Sequence, residues 1–211
     1  MKNKIITIDG TAGSGKRRIS IYIKKKWGFF HLDSGVLYRR LGKLFIKNKV
    51  EMTNFKKIDS FLKKTKNISP RNNKTLRTEN ISKIASKIAT IKKVREFINI
   101  QQKIIVKKEL KKRGCVIDGR DIGSVVFKNA SLKIFVEVNE KIRAKRRHKQ
   151  LNDIGEKSIY AKILKEIKLR DKKDKSRKNS PLVIPRGAHI IDNSGNFQNT
   201  VKQINKIIKI K

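Results

Sequence analysis

Cysteine is almost absent from this chain. Cys115 stands alone among 211 residues, so no internal disulfide can form, and a reducing cytoplasm is the expected setting. Long hydrophobic runs are missing too. The first apolar stretch, Ile5 to Ile8, stops at Asp9 and is too short for a signal peptide, and no run approaches membrane-spanning length. There is no internal repeat and no Gly/Ser-rich linker, which at this length favours one domain with room for small inserted lobes. Acidic residues are scarce: 17 Asp and Glu stand against 56 Lys and Arg, a formal charge of +39. That imbalance has two readings. One is binding to nucleic acid or an anionic membrane. The other is a solvated surface, because lysine is spread through every segment, mixed with Ile and Asn, rather than gathered in one tail or face. Few aromatics are paired and no nucleic-acid-binding motif is present, which argues against the first. Under either reading nucleotides are attracted, and self-repulsion makes the fold salt-sensitive.

What is present begins at the N-terminal end. Ile5-Ile6-Thr7-Ile8 is a β-branched run that reads as a buried parallel strand. Gly10-Thr11-Ala12-Gly13-Ser14-Gly15-Lys16 follows, with the spacing G-x-x-x-x-G-K, and 16–26 can be helical. Strand, glycine-rich loop and helix in that order make a phosphate cradle. The glycines let backbone N–H groups turn inward, the helix start adds partial positive charge, and Lys16 adds a full one. The hydroxyl that normally follows the lysine is missing, because positions 17 and 18 are Arg17 and Arg18.

Four further apolar runs precede chemically useful residues or close the chain: Phe29–Leu32 before Asp33-Ser34-Gly35, Cys115–Ile117 before Asp118-Gly119-Arg120-Asp121, Leu132–Val138, and Ala188–Ile191. Helical patterns separate them, at about 35–48, 79–89, 91–112, 140–151 and 158–174, with a last one near 197–209. This alternation predicts an α/β fold, a five-stranded parallel sheet flanked by helices, with ligands beyond the carboxyl ends of the strands. The stretch 49–77 breaks the alternation and reads as an inserted lobe with a loop, carrying Phe55, Ile58, Phe61 and Leu62 at helical spacing. Trp27 and the phenylalanines read as core, Cys115 as a small buried hydrophobe, and His31, His148 and His189 as structural, having no metal-ligand spacing.

From Asp33-Ser34-Gly35-Val36-Leu37-Tyr38-Arg39 onward the sequence resembles bacterial cytidylate (CMP/dCMP) kinases. The likeness continues through Arg77-Thr78-Glu79, Ala85-Ser86-Lys87-Ile88-Ala89 and Val94-Arg95. It is strongest at Asp118-Gly119-Arg120-Asp121-Ile122-Gly123-Ser124-Val125-Val126-Phe127, and resumes at Arg170-Asp171, Asp174, Arg177, Ser180–Val183 and Ile191-Asp192. It implies a P-loop nucleoside monophosphate kinase fold with an inserted substrate-binding lobe and a short lid. In one domain the core would be about 1–36, 91–150 and 181–211, the lobe about 37–90 and the lid about 151–180. The implied reaction moves the γ-phosphate of ATP to CMP or dCMP in a cytoplasmic monomer. Gly10 to Arg18 would hold ATP, with Lys16 on its β- and γ-phosphates. Asp118, at the end of a buried strand, would hold Mg²⁺, through water. The resemblance assigns the acceptor's phosphate to Arg39, Arg120 and Arg170, with Lys16, Arg120 and Arg170 as the catalytic set. Ser34 joins the CMP site, Ser86, Arg95 and Asp121 read the cytosine, and Asp174 and Arg177 contact the sugar and base. Arg143, Arg146 and Arg147 resemble a basic helix near the donor nucleotide, and a solvated helix face is the competing reading.

Relatives place a small residue and then a hydroxyl residue after the loop lysine. Arg17 and Arg18 either add charge against the phosphates or crowd the site and weaken Mg²⁺ placement. Slow but real activity is expected, raised by the double substitution Arg17→Gly with Arg18→Thr. The competing function is an impaired kinase fold kept as a basic nucleic-acid-binding protein.

Overall fold

A computed structural model describes residues 4–153 and 155–208. The five apolar runs form five strands: β1 (Ile5–Gly10), β2 (Phe30–Asp33), β3 (Cys115–Asp118), β4 (Leu132–Glu137) and β5 (His189–Asp192). All pair in parallel, in the order β2-β3-β1-β4-β5. The helices are α1 (Lys16–Trp27), α2 (Ser34–Lys47), α3 (Phe55–Lys64), α4 (Glu79–Ile88), α5 (Lys92–Leu110), α6 (Glu140–Asn152), α7 (Tyr160–Ser176) and α8 (Phe197–Ile207).

Alternate strand residues enter two separate cores, as the two-residue period of a strand requires. Ile6, Ile8, Val116, Ile134 and Val136 pack with Ile19 and Ile23 of α1 and Ile204 of α8. Leu32, Cys115 and Ile117 pack on the other face with Leu37 and Leu41 of α2 and Val94 and Ile98 of α5. Burial pushes the Cys115 thiol up to about 12, which fits an inert core residue.

The stretch 49–77 contains α3, started by Asn54, whose side chain accepts from the Lys57 N–H at 3.0 Å. Ile58, Phe61 and Leu62 join the same core as Leu41 and Phe45. Buried Gln101 of α5 then pins the following loop. Its Oε1 accepts from the Ile68 N–H and its Nε2 donates to the Lys66 carbonyl, both at 3.1 Å. Phe55 is a correction to the reading of every phenylalanine as core. It shares the helix face of Ile58 and Leu62 but stands at the first position of α3 and is 67% exposed, because the core packs against the later turns of that helix. The last helix is described to Ile207, and position 209 lies outside the described residues. A turn of π-helix at Ile122–Val126, just after the Asp118–Asp121 segment, has no counterpart in the sequence reading.

Register sets up the site. Ile8 of β1 and Asp33 of β2 both lie opposite Asp118 of β3, so Asp33 and Asp118 stand in register at the carboxyl edge of the sheet, with Asp9 one residue further along β1 and on the opposite face, where the glycine-rich loop leaves the strand.

Candidate active site

The loop between β1 and α1 closes on its own lysine. Lys16 is buried, and its Nζ donates to the carbonyls of Gly10 at 2.8 Å and Thr11 at 2.6 Å and to Ser14 Oγ at 3.3 Å. Burial, reinforced by nearby Arg120, holds its pKa well below the ordinary lysine value. An anion entering the loop supplies the negative charge that this ammonium lacks. Gly10 has φ +146°, and a Cβ there would lie 2.4 Å from the Val136 carbonyl oxygen, so glycine is required where β1 turns beside β4. Arg17 and Arg18 are exposed. The Arg18 guanidinium lies 3.9 Å from the ring centroid of Phe197 on α8, so its charge is spent on a stacking contact rather than crowded into the loop.

The three strand-end carboxylates are each engaged differently. Asp9 is fully buried and accepts from the N–H groups of Ile122 at 2.8 Å and Gly123 at 2.7 Å, starting the π-helical turn. Burial raises its pKa to about 6, against the lowering effect of those two hydrogen bonds. Asp33 accepts from Arg39 at 3.1 Å. Asp118 Oδ1 lies 2.5 Å from His31 Nε2, which donates when it carries the proton. His31 thus partners the carboxylate that the sequence reading gives to Mg²⁺.

Beyond this row stands a cluster of arginines and carboxylates. Arg95 of α5 donates to Asp121 Oδ2, with both side chains buried. Arg177 lies 3.7 Å from Asp121 Oδ1 and 3.7 Å from Asp174 Oδ1. Arg120 donates to Asp174 Oδ2 at 3.0 Å. The buried Tyr38 hydroxyl has no partner among the described residues; burial, opposed by Arg95, pushes it up to about 12. Arg170 on α7 is open to solvent, yet desolvation by the surrounding protein and the charge of Arg120 push its pKa below the ordinary arginine value. Ser34, the first residue of α2, is buried. Ser86 lies exposed on α4 and makes no hydrogen bond among the described residues, so the structure does not join it to this cluster.

On the other side of the loop, Arg143 of α6 is buried and bridges three segments. It donates to the carbonyls of Val138 at 2.9 Å and Ala12 at 3.1 Å, and to both carboxylate oxygens of Asp171 on α7, at 3.2 and 2.5 Å. Arg146 donates to the carbonyls of Asn193, Ser194 and Gly195, whereas Arg147 is exposed. An open cavity of about 510 Å³ lies here, lined by Thr11, Val138, Arg143, Asp171, Leu182 and Ser194 among others.

Lys16 lies within electrostatic reach of Asp118, Arg120 and Arg170, and Arg170 within reach of Arg39, Arg120 and Asp174, which joins the loop to the cluster of Arg95, Asp121 and Arg177. Sequence reasoning gave no role to Asp9 or to the residue after Asp192. Asp9 had one signal, its position at a strand end. The other had none, because its partners lie far away along the chain.

Comparison with known proteins adds an independent line. A family model described as cytidylate kinase matches residues 6–210. A cytidylate kinase of Rickettsia rickettsii (strain Sheila Smith) is 39% identical over 211 residues, covering 100% of this chain and 94% of that protein. One from Rickettsia canadensis (strain McKiel) is 41% identical over 193 residues, covering 92% and 86%. Among solved structures, a shikimate kinase from Bacteroides thetaiotaomicron aligns with a TM-score of 0.55 at 12% identity, covering 98% of this chain and 99% of that one. TT1252 from Thermus thermophilus aligns at 0.54 and 13% identity, covering 99% and 97%. At those identities the solved structures speak for the fold alone.

Proposed function

The chain belongs to the cytidylate kinase family, and from that premise we propose how its own residues carry out the family's transfer of the γ-phosphate of ATP to CMP or dCMP, giving ADP and CDP or dCDP. The carrying observation is the buried Arg95–Asp121 pair in the arginine and carboxylate cluster whose Arg120 lies within electrostatic reach of the loop lysine. Asp121 keeps one oxygen, Oδ1, turned toward Arg177 rather than Arg95. A carboxylate oxygen there accepts from the exocyclic amine of cytosine, whereas uracil sets a carbonyl against it and leaves two acceptors opposed.

Lys16 and the loop amides take the β- and γ-phosphates of ATP, and Arg39, Arg120 and Arg170 take the phosphate of CMP. Arg120 and Arg177 both engage the Asp174 carboxylate of α7. Substrate phosphate oxygens compete with that carboxylate for the same guanidinium groups, which links acceptor binding to the position of α7. Residues 37–90 serve as the acceptor lobe and 151–180 as the lid, and closure excludes water from the transferring group. Transfer is in line, with no covalent intermediate, and rests on positioning and charge.

The donor set also fits Mg²⁺. Among the described residues no group of three or more His, Cys, Asp or Glu encloses a metal, which suits an ion carried mainly by phosphates and water. Asp118 keeps its Oδ2 outside the His31 contact, available to a metal-bound water. Asp118 would help hold Mg²⁺ through water, and the ion would supply positive charge against the phosphates of ATP. No helix among the described residues is long and apolar enough to cross a membrane. We read the working unit as a monomer in the cytoplasm, as the family resemblance implies.

Asp121→Asn tests the base assignment. The preference for CMP over UMP in kcat/KM is expected to fall by about a hundredfold. An unchanged preference contradicts the role given to Asp121.

A further inference from the structure

One buried amide reaches the phosphate loop from the side away from the acceptor cluster. Asn193, just after β5, is 5% exposed. Its Nδ2 donates to the Ser14 carbonyl at 2.8 Å, and its Oδ1 accepts from the hydroxyl of Thr200 on α8 at 2.8 Å. A carbonyl takes only a donor, so Nδ2 must face Ser14 and the amide has one orientation. Its backbone is fastened as well. The Asn193 N–H donates to the Glu137 carbonyl at 3.2 Å, and Arg146 donates to the Asn193 carbonyl at 2.8 Å. The loop is shaped around this amide: Gly15 has φ +87°, and a Cβ there would lie 2.2 Å from Asn193 Nδ2.

In a trans peptide the carbonyl and the next N–H point to opposite sides. Fixing the Ser14 carbonyl against Asn193 therefore turns the Gly15 N–H the other way, into the loop. We infer that Asn193 is a positioning residue for the donor's phosphates, acting through the Ser14–Gly15 peptide, and that Thr200 holds it in place. The inference rests on ATP occupying the loop. The role carries more weight in this chain than the fold alone demands, because Arg17 and Arg18 offer no hydroxyl and leave the backbone donors as the main neutral contacts.

The test is equilibrium binding by titration calorimetry, with ATP and CMP measured separately on the wild type, Asn193→Ala, Asn193→Asp and Thr200→Val. Losing one well-aimed donor to a charged phosphate is expected to weaken ATP about tenfold or more in Asn193→Ala. Asn193→Asp, which sets a carboxylate against the Ser14 carbonyl, is expected to lose at least as much. Thr200→Val, close to isosteric, shows a smaller loss in the same direction. CMP affinity stays within about twofold in all three. A merely structural role would weaken ATP and CMP alike, and that result overturns the inference. So does ATP affinity unchanged in both Asn193→Ala and Thr200→Val. If Asn193→Ala does not fold, Thr200→Val decides alone: selective loss of ATP supports the role, and unchanged ATP affinity overturns it. Failure of the wild type itself to bind ATP would strike the reading of the loop, a separate outcome.

Discussion

At Asp9 the physical chemistry is unusually exposed to test. The side chain is fully buried, accepts two backbone N–H groups, and has a pKa raised to about 6. In the unfolded chain it titrates near the ordinary aspartate value. Between those values the folded protein holds a proton that the unfolded chain has released, so the contribution of Asp9 to stability is present at low pH and is lost as pH rises to about 6. Urea unfolding of wild type and Asp9→Asn, compared from pH 4 to 7, isolates this term. The stability difference is expected to shift against the wild type as pH rises, and a shift in the opposite direction contradicts the assignment. The other residue-scale departure, Arg17 and Arg18, reads differently with the structure in hand. Arg18 stacks on Phe197, a contact worth about 0.5–1 kcal/mol, so restoring a hydroxyl at 18 trades a little stability for an oxygen near the phosphates.

Legibility differed sharply among residues. Lys16, Arg120 and Asp121 stand in compact motifs beside strand ends, and a motif is a local object. The pairing of Asp9 with Ile122 and Gly123 spans more than a hundred positions, and that of Asn193 with Ser14 spans 179. Nothing in a single sequence marks such partners. Ser86 belongs to a legible motif, and it lies exposed on α4 with no hydrogen bond to the Arg95–Asp121 pair among the described residues.

Among elements, α7 is held from two sides. Asp174 engages Arg120 and Arg177 toward the acceptor cluster, and Asp171 grips Arg143, which in turn reaches the Ala12 carbonyl of the phosphate loop. One helix thus links the phosphate loop to the Arg120–Asp174–Arg177 cluster. Asp171→Asn leaves the buried Arg143 guanidinium with a neutral partner, a loss of about 1–3 kcal/mol. Hydrogen exchange of the α7 amides is expected to quicken and the KM for ATP to rise, while CMP binding changes little. Unaltered exchange in α7 would sever the proposed link between loop and lid. The strands and long helices were readable because periodic apolar residues face large cores. The π-helical turn at Ile122–Val126 was not, since it depends on Asp9 reaching across from β1. Strand order was equally hidden, being a matter of which elements pack and not of local pattern.

On the scale of the whole molecule, charge dominates. Six of the 17 acidic residues, Asp9, Asp33, Asp118, Asp121, Asp171 and Asp174, are engaged around the strand ends, the phosphate loop and the arginine cluster, which leaves the remaining surface strongly basic. Neither the fold nor the comparisons favour nucleic-acid binding as the purpose of that charge. Self-repulsion over the surface opposes compaction and is screened by salt, as is the attraction of a nucleotide. Raising NaCl from about 50 to 500 mM shortens the screening length from roughly 14 to 4 Å. Tm is therefore expected to rise across that range while the KM for ATP also rises. A Tm that falls with salt would mean that local ion pairs outweigh the net repulsion.

The most direct measurement is ADP release from ATP and Mg²⁺ at moderate salt, with CMP, dCMP, UMP and AMP offered one at a time to the folded wild-type chain. Turnover with CMP and dCMP, and little with UMP or AMP, is the expected result. It would show that a loop carrying Arg17 and Arg18 still transfers phosphate and that the Arg95–Asp121 pocket selects cytosine. Folded protein that turns over none of the four, or all of them alike, would contradict the roles assigned to the loop or to the pocket, respectively.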